Sequence, residues 1–446
     1  MADSVKVPER DVTTLEDAVD VSRAESKRSP GARLWRDRNF NTFWAGQTFD
    51  ALGDSLVMIA IPLLVLEATG SVAQMGLVTA TIGVGNLISG VTFGSVVDRM
   101  DRRKLLVGCD ILRALFYAFI PLIWWLGGPA TWLIYTVAGL TAYLTTAFMV
   151  TYTSVIPAVV DNDQIVEANG RLQMTVAVAY VAGPMIAGFT SKYFGPTWTI
   201  TIIILIYVIS ATLMSWVRFR KAAPVEQLGE SDAQHPRLTE FFAGARFLLT
   251  HPVLKSVTLL RAAFTFLSEC VVDLSIFYLK HDLSKDDKAV GVIFGVASIG
   301  AIAGGALAST LRNRFGFGLC FLISLILQGV AITSIGFAPI VALIVVLATL
   351  FSFGNTIMRV STISLRQQLT PDPLLGRVSS AYWTFFSVTG AIGVAIATAV
   401  AQRVGASITL IALGILGVLI AAVGFFTAAN TAKPEEALDA PTDVKN

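Results

Sequence analysis

Residues 94–104 read GSVVDRMDRRK, with six ionisable side chains in eleven positions. The flanking stretches, 72–97 and 104–126, are mostly apolar or small. Each exceeds the roughly 20 residues a helix needs to cross a bilayer. A charged turn between two such runs suits a chain leaving lipid and re-entering it, because polar side chains belong at the headgroups. The pattern repeats outward in both directions. Twelve runs emerge, at 40–66, 72–97, 104–126, 131–155, 172–192, 197–217, 256–279, 289–310, 317–337, 340–361, 378–400 and 405–427. None alternates with the period of two that a membrane barrel requires. Of 446 residues, 54% are hydrophobic and 14% charged, with mean hydropathy +0.68. Soluble domains carry roughly 25% charged residues. The sequence predicts an all-α polytopic membrane protein with twelve transmembrane helices.

Lysine and arginine orient it. With the N-terminus inside, 25 of the 33 fall on cytoplasmic segments, five on outer loops, and Arg113, Arg261 and Arg359 within helices. The positive-inside rule then predicts both termini in the cytoplasm and a cell-membrane location. Net charge is only +2 and the basic residues serve topology, so no nucleic-acid partner is expected. Residues 1–38 are polar, mixed in charge and without an apolar h-region, which reads as a disordered tail and not a signal peptide. Residues 429–446 read as a second tail. Cys109, Cys270 and Cys320 lack metal-ligand spacing and sit in apolar runs, as small packing residues do. No metal or cofactor is expected.

A polar segment at 218–255 separates residues 39–217 from residues 256–428. The two parts echo each other. GSVVDRMDRRK follows the second run and GALASTLRNRFG (305–316) the eighth; PAVVDNDQIVEANGRLQ (157–173) follows the fourth and RQQLTPDPLLGRVSS (366–380) the tenth. The offsets are 211 residues from Gly94 to Gly305 and 206 from Arg171 to Arg377. Such spacing predicts two pseudo-symmetric six-helix halves in parallel register.

GSVVDRMDRRK also resembles the signature loop of the major facilitator superfamily, G-x-x-x-D-R-x-G-R-R/K. Gly94, Asp98, Arg99, Arg102 and Arg103 match, and Asp101 stands where the family has glycine. The resemblance implies a latch between halves on the cytoplasmic face. The start of the eleventh helix, at Arg377, would attract Asp98 through its amides and guanidinium. AYVAGPMIAG (179–188) resembles the antiporter motif G-x-x-x-G-P-x-x-G-G, keeping Gly183, Pro184 and Gly188 but holding Ala179 and Ala187 for glycine. LGDSLVMIAIPLLVLEATGSVAQMGLV (52–78) resembles the bacterial efflux branch that holds macrolide, tetracycline and siderophore exporters. The likeness covers roughly residues 34–430.

In this superfamily helices 1, 4, 7 and 10 line the central cavity. Helix 1 carries Asp50 and Asp54, helix 7 carries Glu269 and Asp273, and helix 10 carries Arg359. Both acid pairs are four apart, on one helix face. Carboxyl groups in a low-dielectric cavity hold protons more readily, so these residues are expected to couple protons or bind substrate. Asp110 and Arg113 are three apart on helix 3 and are expected to form an intramembrane ion pair. Aromatic residues on the expected cavity helices (Phe43, Trp44, Phe49, Tyr143, Phe148, Tyr152, Phe264, Phe266, Phe277, Phe351, Phe353) suit a bulky, partly apolar ligand.

No phosphate loop or nucleophile elbow is present, and His235, His251 and His281 lie in polar loops and not near one another, so no enzyme is expected. The expectation is a monomeric, proton-coupled multidrug exporter in membrane lipid that moves small amphipathic molecules by alternating access. A dedicated siderophore or lipid exporter is the alternative within the fold. A non-transporting sensor or assembly partner is the alternative outside it.

Overall fold

The computed structural model describes residues 34, 36–93, 100–128, 130–161, 164–219, 237–371 and 374–432. Gly94, Asp98 and Arg99 of the signature loop lie outside them, as do most of both tails. Twelve helices are long and apolar enough to cross a membrane, and the described residues contain no strand. In the first half they are α1 (Arg38–Thr69), α2 (Val72–Thr92), α3 (Arg102–Gly127), α4 (Thr131–Val159), α5 (Ile165–Phe194) and α6 (Pro196–Trp216). In the second they are α7 (Pro252–Asp282), α8 (Asp287–Phe315), α9 (Phe317–Phe337), α10 (Val341–Leu369), α11 (Leu375–Val404) and α12 (Ala406–Gly424).

Local chemistry sets many of the ends. Asp37 caps α1 by accepting from the amides of Asn39 (2.8 Å) and Phe40 (3.2 Å). Gly70, at φ +62°, closes that helix in the left-handed conformation that favours glycine. Asp101, the departure from the signature pattern, caps α3 through the amides of Arg103 (2.9 Å) and Lys104 (3.2 Å). The glycine that the family keeps there could not supply that carboxylate.

The packing follows the repeat. In the first half α1 lies against α5 and α6, α3 against α4 and α6, and α2 against α4. Adding six to each number gives the second half: α7 with α11 and α12, α9 with α10 and α12, and α8 with α10. The halves meet where α2 packs on α11 and where α5 packs on α8, and those two contacts map onto each other by the same rule. Outward faces keep large apolar side chains exposed, Trp125 and Leu126 among them, as suits lipid contact.

Three boundaries differ from the sequence reading. Most spans run beyond the apolar stretch, because helical hydrogen bonding continues past the hydrocarbon. The 218–255 segment contains a further helix, Arg237–Thr250, which packs on α11, and α7 already begins at Pro252. The second tail begins later than residue 429, since Phe317 donates its amide to the Ala432 carbonyl (2.8 Å) and Gly318 to that of Thr431 (3.1 Å).

Candidate transport site

Two polar sites lie at membrane depth, one in each half. In the first, α3 carries Arg113 into the space between α1, α4 and α6, with no exposed surface. Its guanidinium meets three carboxylates. It binds Asp50 of α1 at 2.5 Å, Asp54 of α1 at 3.0 Å, and Asp110 one turn back on its own helix. The expected Asp110–Arg113 pair is thus one edge of a four-residue cluster. Two residues of α6 complete it: Tyr207 donates to Asp54 (2.7 Å) and Ser210 to Asp110 (2.6 Å). The Tyr207 and Phe148 rings flank the guanidinium at 4.3 and 4.9 Å.

The charges do not balance. Three ionised carboxylates on one guanidinium leave the cluster at −2, and burying uncompensated charge in lipid is costly. One proton brings it to −1 and two to neutrality, so the cluster is chemically suited to hold protons. Asp50 and Asp110 are sealed, whereas the Asp54 side chain keeps 20% of its surface exposed. Asp54 is the member with a route to solvent.

The second site is a cavity of about 400 Å³ in the second half, lined by α7, α8, α9, α10 and α11, with Met58 its one lining residue from α1. Glu269 and Arg359 both line it, together with Arg261. Asp50, Asp54 and Asp273 do not. Asp273 instead accepts a hydrogen bond from Thr79 of α2 at 2.7 Å, tying the halves together. The five residues grouped from sequence therefore occupy three places. Of the eleven aromatic residues expected at the cavity, Phe351 lines it, while Phe43, Phe148 and Phe264 are packed inside their own halves. The other rings are Phe294, Tyr382, Trp383 and Phe386, mostly on α11, which the sequence reading left out.

The repeat explains why one acid is tied and the other open. At an offset of 215 residues Asp54 corresponds to Glu269 and Arg113 to Gln328. Gln328 is buried on α9 and lies against Met358 (Nε2 to Sδ 3.8 Å), much as Arg113 lies against Phe148. A neutral amide stands in the arginine's place. Glu269 has no guanidinium holding it among the described residues and faces the cavity.

Comparison with known proteins places the chain. Residues 29–443 match the transmembrane secretion effector family. The enterobactin exporter EntS of Escherichia coli O1:K1 is 27% identical over 391 residues, spanning 82% of this chain and 87% of the relative. EntS of Citrobacter koseri is 25% identical over 353 residues, spanning 76% and 80%. The crystal structure of a mutant of the nucleoside transporter NupG superposes with a TM-score of 0.74 at 10% identity, covering 87% of this chain and 99% of that one. The chain belongs to the transmembrane secretion effector family of the major facilitator superfamily. It is a multi-pass membrane transporter and not an enzyme.

In this transporter the α5 glycines mark close crossings. A side chain at Gly183 would collide with Ser55 of α1, whose hydroxyl bonds the Ala179 carbonyl at 2.8 Å. One at Gly188 would run into Gly291 of α8, and Gly291 in turn sits under the Pro184 carbonyl. Toward the end of the molecule away from the termini, polar bonds join the halves: Ser71 to Gln402 (2.9 Å), Ser191 to Asp287 (2.5 Å), and Lys192 to Asp286. At the termini end, the backbone at Arg377 lies against Gly244 of the linker helix, and Arg102 and Arg103 open α3.

Proposed function

We propose that this transporter exports small amphipathic molecules by alternating access, driven by inward movement of protons. The carrying observation is the Arg113 cluster. Three carboxylates on one guanidinium leave surplus negative charge that protons would offset, and Asp54 alone among them is partly open. When the cluster takes up a proton, the attraction between Asp54 and Arg113 falls, and α1 is freed to move against α3 and α6. The membrane potential supplies about 2.3 kcal/mol per charge per 100 mV to drive the cycle. The cavity faced by Glu269 and Arg359 holds the substrate. The bonds at the end away from the termini fit a state closed on that side, and the 25-to-5 distribution of basic residues supports its being the outer side. The signature loop and Arg377 latch the opposite face, and the chain works as a monomer in the cell membrane.

A siderophore as cargo is the second reading, favoured because the similar proteins are named enterobactin exporters.

Asp54→Asn tests the coupling. In proteoliposomes the variant is expected to exchange substrate passively yet lose efflux driven by a pH gradient. Full gradient-driven export by this variant overturns the proton role. Topology is tested separately by reporter fusions at Asn446 and beside Lys285, which are expected to report opposite sides of the membrane. Matching signals reject the orientation.

A further inference from the structure

The cavity has a charge pattern that the coupling chemistry does not use. Arg261 and Arg359 both line it, against one acid, Glu269. Among the described residues, neither arginine reaches a carboxylate within ion-pair distance. Arg261 is 7% exposed, yet its Nη1 donates to the Met358 thioether (2.9 Å) and its Nε has no partner. Buried donors almost always find acceptors, and a thioether is a weak one. A third guanidinium, Arg366, is 4% exposed and lies over the ring of Tyr382 at 4.1 Å, with Nε and Nη1 unpartnered. Tyr382 itself lines the cavity. The lining thus carries a formal +1, with further positive charge behind it.

The apolar surface beside these donors is aromatic. Phe386 lies under Arg261 at 4.8 Å, and Trp383 meets Phe386 edge-on at 5.7 Å. Guanidinium groups bind carboxylates through paired N–H bonds, and aromatic faces take flat rings. A cation would meet two arginines and one glutamate, and a neutral ligand would leave the donors unsatisfied.

We propose that the cavity binds a singly anionic aromatic molecule, an aryl carboxylate or an acidic phenol. Its acid group lies between Arg261 and Arg359, and its ring lies among Tyr382, Trp383 and Phe386. One negative charge neutralises the lining, and about 400 Å³ is within the range of small-ligand sites. Glu269 lines the same cavity and disfavours a second negative charge. This assignment rests on the reading of the cavity as the substrate site.

The test uses the full-length transporter in detergent and three probes with one ring system. Calorimetric titration compares 1-naphthoate, 1-naphthamide and 1-naphthylmethylammonium, carrying −1, 0 and +1. The naphthoate is expected to bind at least about tenfold more tightly than the amide, with the ammonium weakest. Arg359 has no ion-pair partner to lose, so Arg359→Gln retains the fold and is expected to bring naphthoate and amide within about twofold. Arg359→Lys is expected to keep most of the preference, and Glu269→Gln to tighten naphthoate binding several-fold. Equal binding of the three probes, no binding of any, or an anion preference untouched by Arg359→Gln overturns the assignment. Binding needs no gradient. A protein that shows this order but fails to move naphthoate across proteoliposomes loses the exporter reading and keeps the anion site. Uphill efflux of other solutes without anion preference does the reverse.

Discussion

Arg113 holds together more buried charge than any other side chain described in the first half. Removing it strands Asp50 and Asp110 without a counter-ion, and breaking a buried pair in this way costs about 3–5 kcal/mol. Arg113→Ala is therefore expected to lower the melting temperature sharply or prevent monodisperse recovery in detergent. Ser210→Ala takes one hydroxyl from Asp110, which keeps its guanidinium, and is expected to cost about 1 kcal/mol. Equal losses from the two substitutions would show that the guanidinium is not the organising group. The spacings of Asp50 with Asp54 and of Asp110 with Arg113 were legible, since both are same-face intervals on a helix. The convergence of α1, α3 and α6 was not, because no local pattern reports which helices meet. One overlooked signal was Tyr207 and Ser210, two polar residues three apart, and so on one face, in the apolar middle of α6.

At the scale of the element, the twelve helices could be read directly because lipid forces length and hydrophobicity together. The division of α7 could not. Its helix pauses at Glu269 and Cys270, resumes over Val271–Phe277 and ends in a π turn at Tyr278–Asp282, yet residues 253–290 hold neither proline nor glycine. The α5 glycines gave the opposite case. Their small size was legible, but its reason lies in α1 and α8, more than a hundred residues away along the chain. Gly188→Val adds a branched side chain where the backbones of α5 and α8 touch. It is expected to force the helices apart, destabilise the protein by a few kcal/mol and abolish transport. Gly90→Ala, on α2 with no atom within 4 Å of its added carbon, is the control and is expected to be tolerated. Thermal unfolding and efflux assays on both variants separate a crossing requirement from a general intolerance of side chains at glycine positions.

For the whole molecule, the repeat was legible in two loop offsets and became plain only in the main helix pairings, which recur six helices later. What the halves do differently was hidden, because Gln328 in the place of Arg113 means nothing until the starts of α3 and α9, 215 residues apart, are aligned. The closure away from the termini carries its own prediction. Cysteines at Ser71 and Gln402, whose side chains meet at 2.9 Å through the length of a glutamine, are expected to be joined by a short bis-methanethiosulfonate linker and to stop transport, with recovery on reduction. Unimpaired transport by the cross-linked protein would mean that this end need not open. The Lys192–Asp286 pair contributes there too. The Lys192 ammonium and the Ala289 amide hold the Asp286 carboxyl below the usual carboxylate range. Its contribution is therefore full above an ordinary aspartate pKa of about 4 and is lost only as pH falls through the lowered value. Between pH 5 and 8 this pair is expected to stay ionised, so Lys192→Gln should leave the shape of a transport–pH profile unchanged. The crossing of Gly188 and Gly291 has a mechanical corollary. It lies near one end of α5, and some 23 residues, about 35 Å of helix, extend from it to Ile165. A roll of ten degrees about such a fulcrum sweeps the distant tip through roughly 6 Å, so leverage, set by where two bare backbones touch, turns a slight local rotation into a doorway.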